Sequence, residues 1–252
     1  MPTTRSPLTL NIYAHPLMDH DERRIAIVHG MERALPGLHL GWTMSKEEGI
    51  VALPQRDEWV GRERMDGDFP FLCNDDDNHA VTLGGWEIPA GRYPGARPQL
   101  QVHAMLPLEE AVIAAAGDVL EGVAEGAQAL WGHMTPGSVM LVIAEQMGPK
   151  IYGPPKPPRG LPALMRPDSI PAPEIPHCLG WLNYWSAAAA RAIGFPDTAR
   201  DADLLSRSRR TATGAWGVRL TDAPLDLDNP THLDMLKRAY ARFPEIGGRA
   251  AL

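Results

Sequence analysis

The chain has 252 residues, enough for one large domain or two small ones around a substantial core. A formal net charge of −7 argues against a nucleic-acid binder, whose phosphate contacts need clustered Lys and Arg, and disfavours an anionic membrane, so neither is an expected partner. Cys73 and Cys178 are too few for a disulfide framework, and no apolar run reaches the ~20 residues of a membrane span. The first residues, MPTTRSPLTLNIYAHPL, carry one Arg and no unbroken apolar stretch of signal-peptide length, so the expected location is the cytoplasm.

Residues 8–14, LTLNIYA, alternate apolar and polar positions and predict a half-buried strand. Asp19 or Asp21 can cap a helix with Ile25, Val28, Met31 and Leu35 on one face, ended by Pro36-Gly37. A second strand is expected over 38–44, and the polar stretch 47–65 has no clear period. Strands recur over 69–72, 81–88 and 100–106, with turn residues at 74–78 and 89–98. The strongest helical rhythm spans 108–133, where Val112, Ala116, Val119, Val123, Ala127 and Leu130 share a stripe. Gly117, Gly122 and Gly126 lie in that stretch, marking either a close backbone approach or tolerated surface positions. A strand is expected over 139–145.

Between 149 and 176 ten residues are Pro, which bars a helix or an interior strand through most of it. An extended crossing connection is the expectation, with a PxxP-type recognition segment as the alternative. Beyond it, a strand over 179–186, helices over 187–193 and 201–206, a strand over 214–220 and a closing helix over 230–243 complete the chain. This order predicts an α+β fold, a mainly antiparallel sheet with helices packed on one face. A single domain over 1–252 is expected, with a two-part organisation, 1–148 and 177–252, as the variant.

No residue set predicts catalysis. His15 and His20 lie five apart with Pro16 between them, unlike the i, i+4 pair of a helical zinc site. Asn74-Asp75-Asp76-Asp77-Asn78 opens like a calcium loop, yet counting from Asp75 the sixth position is Ala80 and the twelfth is Trp86. A hairpin turn is the expectation, its like charges kept in water or against a cationic partner. Phosphate-cradle and nucleophile-elbow motifs are absent. No catalytic residue, metal or cofactor is assigned.

Residues 214–233, GAWGVRLTDAPLDLDNPTHL, concentrate acids between a strand and a helix. Asn229 is placed as N-cap with Pro230 at the first helical position, and Leu233, Leu236, Tyr240 and Phe243 form one stripe. Asp222 and Asp226 punctuate the turn first, and their charges can serve partner binding second. Together with 180–186, GWLNYWS, these pieces resemble the C-terminal half of bacterial immunity proteins of polymorphic-toxin and type VI secretion systems. The resemblance covers 178–246, and the long Pro-rich connection departs from it. It implies a non-enzymatic, cytosolic protein that occludes a cognate toxin. An acidic chain suits a basic toxin, since complementary charge raises the association rate. Asp75, Asp76, Asp77, Asp222 and Asp226 are the expected partner-binding acids. Of the seven Trp, Trp131 is expected near the end of the long helix, Trp181 and Trp185 in a strand, and Trp86 as an exposed anchor. The alternative is a small metal-dependent hydrolase using His15, His20 and Asp222.

Overall fold

Leu8, Leu10, Ile12 and Ala14 alternate with Thr9, Asn11 and Tyr13, so a strand must send the two sets to opposite faces. The computed structural model describes residues 6–45, 47, 49–62, 69–91, 97–148, 158–170 and 172–250. In chain order they form β1 (Leu8–Ala14), α1 (Arg23–Ala34), β2 (Trp42–Ser45), β3 (Gly49–Ala52), α2 (Arg56–Arg62), β4 (Phe69–Cys73), β5 (Thr82–Ile88), β6 (Gln99–Leu106), α3 (Glu110–Ala127), β7 (Trp131–Pro136) and α4 (Gly137–Gln146). The second half adds β8 (Leu182–Trp185), α5 (Ala187–Ala192), α6 (Ala202–Leu205), β9 (Ser208–Arg210), β10 (Trp216–Arg219) and α7 (Pro230–Arg242). The described strands make one sheet in the order β3-β2-β4-β5-β6-β1-β7-β8-β10-β9, and every described pairing is antiparallel. The fold is α+β, as the sequence predicts.

Strand β1 is buried on both faces rather than on one. Its place explains this, because β6 and β7 flank it and side chains cover it above and below. On one face Leu8, Leu10, Ile12 and Ala14 stand opposite Leu106, Ala104, Val102 and Leu100 of β6. Helices α1 and α3 pack over this face, where the Tyr184 hydroxyl of β8 donates to Glu125 of α3 at 2.9 Å. The two helices cross at glycines. A Cβ on Gly122 would lie 2.5 Å from the Gly30 carbonyl oxygen, and one on Gly126 2.5 Å from that of Ala26. Gly117 meets nothing within 4 Å.

The opposite face carries Thr9, Asn11 and Tyr13 beside Thr135, His133 and Trp131 of β7. Helix α4 lies there, with Asn11 Nδ2 4.0 Å from Met140 Sδ. Phe243, just past α7, packs edge-on to Trp185 at 5.3 Å. The described part of the Pro-rich stretch is a strap on the same side. It buries Leu161, Leu164, Ile170 and Ile175, and Gln146 Nε2 donates to the Pro162 carbonyl at 2.7 Å. The expected extended connection is therefore packed over this part; residues 149–157 and 171 lie outside the described residues.

Several elements differ from expectation. The helix expected over 108–133 stops at Ala127, where Gln128 turns left-handed (φ 51°), and Trp131 lies in β7, fully buried. Residues 139–145 form α4 rather than a strand. Val139 and Ile143, four apart, face the core while Leu141 is 69% exposed, which is helical spacing. The stretch 47–65 yields β3 and α2 where described, and residues 46, 48 and 63–68 lie outside the described residues. Strand β9 had no sequence signal. Pairing of β7 with β8 joins the segments before and after the Pro-rich connection into one sheet.

Candidate partner-binding face

The β4–β5 hairpin is built by its own side chains. Asn74 Oδ1 accepts from the Val81 amide at 2.7 Å, and Asn74 Nδ2 donates to the His79 carbonyl at 3.0 Å. Asp76 Oδ1 accepts the amides of Asn78 (2.9 Å) and His79 (3.0 Å), which hold its carboxyl below the usual range. Asp76 therefore shapes the turn, as Asp does in such loops. His79 stands 3.3 Å from Asp76 and 3.4 Å from Glu109. Asp75 and Asp77 are exposed, and among the described residues neither has an ion-pair partner.

Among the described residues, the sheet face that continues from this hairpin keeps large apolar side chains exposed. Among the same residues the strap, α4 and α7 cover the central strands, and the strap reaches β5 only at Ile88, where Asp168 and Pro173 lie beside it and Gln99 Nε2 donates to the Pro173 carbonyl at 3.1 Å. Register places Gly84 opposite His103, Trp86 opposite Gln101 and Thr82 opposite Met105, on the same face as Thr9, Asn11 and Tyr13. A bulge in β4 between Phe69 and Leu72 leaves the Phe71 ring beside Gly84. The pairs Trp42–Cys73 and Met44–Ile50 extend the face to the sheet edge. Trp86 (44% exposed), Phe71 (38%), Met105 (41%), Met44 (63%) and Ile50 (46%) stand on it together. Trp86 is thus the exposed aromatic that the sequence predicts. The other four were missed, because apolar alternation marks a strand without saying which face stays uncovered.

Asp222 and Asp226 are also exposed, and Asp226 Oδ1 accepts the Asp228 amide at 2.9 Å, completing an acidic turn. This turn lies at the same end of the sheet as the β4–β5 hairpin. Between β5 and β10, however, are five strand steps, ~24 Å at ~4.8 Å each. The structure therefore brings Asp75, Asp76 and Asp77 to the Trp86 face and leaves Asp222 and Asp226 on a separate surface.

The residues of the hydrolase alternative do not converge. His15 follows the far end of β1, about 23 Å of strand away from the end where Asp222 lies. Asp21, a cap candidate, accepts the Arg23 amide (3.0 Å) and pairs with its guanidinium. Burial opposes that charge, but the Arg23 and Met18 hydrogen bonds prevail and hold the carboxyl at about 2. Among the described residues no group of three His, Cys, Asp or Glu side chains is placed to hold a metal ion. A cavity of about 300 Å³ between α3 and β8–β10 has Arg209 clamped by Asp118 (2.8 Å) and Glu121 (2.5 Å) at its wall. Those charges tie β9 to α3.

A family model described as Domain of unknown function (DUF5953) matches residues 19–251. The chain belongs to this family. Comparison with curated proteins gives no match. Among solved structures the family member resembles the Pseudomonas aeruginosa T6SS protein PA0821, with a TM-score of 0.56 and 12% identity over 94% of this chain and 73% of that one. At that identity the likeness is one of fold. No described helix of this family member is long and apolar enough to cross a membrane.

Proposed function

We propose that this chain is an immunity protein of the type VI secretion setting, which binds a cognate toxin in the cytoplasm and covers it. The observation that carries this reading is the exposed sheet face, where five large apolar side chains adjoin an acidic hairpin with two carboxylates that have no ion-pair partner among the described residues. Contiguous exposed apolar surface of this kind marks protein–protein contact. An aromatic anchor with a charged rim is how such interfaces divide their work. The resemblance of residues 178–246 to immunity proteins and the fold shared with a protein titled T6SS support the setting. The occupant is a toxin with a basic docking surface, matched to a chain of net charge −7. The proposal assigns no catalytic residue and no cofactor.

Expression of the neighbouring gene's product alone should kill cells, and co-expression of this chain should protect them through a one-to-one complex. Replacing Asp75, Asp76 and Asp77 with Asn keeps the turn acceptors and removes the charge. The dissociation constant is expected to rise about tenfold at low salt, mostly through a slower on-rate. An unchanged constant would remove the hairpin from the interface; a harmless neighbour that does not bind would remove the function.

A further inference from the structure

Gly84 is a strand glycine that its own backbone does not require. A Cβ there would lie 3.7 Å from Phe71 Cα and Cδ2, ordinary contact, and its φ is not positive. Gly85 differs: a Cβ would sit 2.5 Å from the Gln101 carbonyl oxygen. A glycine inside a strand forfeits packing, and it marks a bulge, a tight bend or a place where a ligand or another backbone comes close. Gly84 is the floor of an open notch of about 290 Å³ walled by Phe71, Trp86 and His103. The Trp86 and His103 rings are 6.3 Å apart and tilted by 35°. Burial pushes the His103 imidazole down from its ordinary value, so it is neutral at pH 7 and adds no cation to the wall.

The carboxylates stand at one end of this notch. Thr82, which lines it, pairs with Cys73, two residues before Asp75. The field of Asp75 reaches that far, since it adds to burial in raising the Cys73 thiol. Aromatic faces attract a cation, and a long aliphatic stem can lie along them while its charged head stays at the water boundary. We infer that the notch over Gly84 receives one Lys or Arg side chain of the toxin, its charged head over the Trp86 ring, its stem along Phe71, and its approach drawn by Asp75 and Asp77. This rests on the toxin-docking reading of the same face and adds the chemistry of the residue that enters it.

The test uses the full chain and the neighbouring gene's product, with dissociation constants measured for wild type, Gly84→Leu, Trp86→Phe and Trp86→Leu after thermal unfolding shows each to be folded. Gly84→Leu fills the notch and is expected to weaken binding at least tenfold; Gly84→Ala replaces it if the larger side chain prevents folding. Trp86→Phe keeps a π face and should stay within about threefold, while Trp86→Leu keeps apolar area without it and should lose about tenfold. Unchanged affinity on filling the notch overturns the inference and leaves toxin binding intact. Equal affinity of the Phe and Leu variants overturns the cationic side chain in favour of an apolar one. A wild-type chain that forms no complex overturns the docking reading itself.

Discussion

Gly30 and Gly122 show how single residues set the helix layer. Their backbones touch where α1 crosses α3, so Gly122→Ala must push the helices apart. A loss of about 1–3 kcal/mol is expected, the usual range for overpacking, read from urea unfolding. Gly117→Ala on the same helix meets nothing within 4 Å and should instead gain up to about 1 kcal/mol from helix propensity. The sequence left close approach and tolerated surface position open for all three glycines. Their spacing could not separate them, because the deciding contact comes from α1, about ninety residues earlier.

At the scale of elements, α7 is legible from end to end. Asn229 accepts the Thr231 amide at 3.0 Å, Pro230 opens the helix, and Leu236, Tyr240 and Phe243 are buried as the stripe requires. What fixes α7 to α6 was not legible. Arg242 grips Asp201 with two hydrogen bonds of 2.6 and 2.9 Å, and the Asp201 side chain is fully buried. Arg242→Leu leaves that carboxylate unpaired away from water, so a loss of about 3–5 kcal/mol is expected by chemical denaturation. Helix α4 teaches the complementary lesson. Its run SVMLVIAEQ is apolar enough to suit either a buried strand or a helix, and periodicity alone cannot choose between them. Pairing decides: β7 already holds one free edge of β1, so the next segment crosses over the sheet instead of joining it.

Acid sensitivity belongs to the whole molecule, because it arises where the two halves meet. His133 of β7 and His177 after the strap are sealed between the sheet and its cover. Burial lowers them to about 4 and about 3, each further lowered by a neighbouring histidine. Folded values below the unfolded ~6.5 mean that both rings are neutral in the native state. Their contribution is fully present above pH 6.5. It declines as pH falls below that value, because the unfolded chain takes up protons first. The loss is about 1.4 kcal/mol per pH unit for each histidine, and it levels off near the folded values. The urea midpoint is therefore expected to drop between pH 6.5 and 4, and His177→Leu should flatten that slope. An equal slope in the variant would assign the acid loss to other groups.

By itself the sequence determined the α+β class, the positions of most strands, the caps and stripe of the last helix, and the hairpin that displays Asp75 and Asp77. These follow from local period and turn chemistry, which neighbouring residues carry between them. The tertiary structure alone decided that β1 is covered twice, that Trp131 lies in a strand, and that Asp222 and Asp226 stand apart from the Trp86 face. It also decided that Phe71, Met105, Met44 and Ile50 stay exposed. A strand's apolar alternation is the same whether a helix lies over it or water does, and the cover comes from α4, the strap and α7, far along the chain.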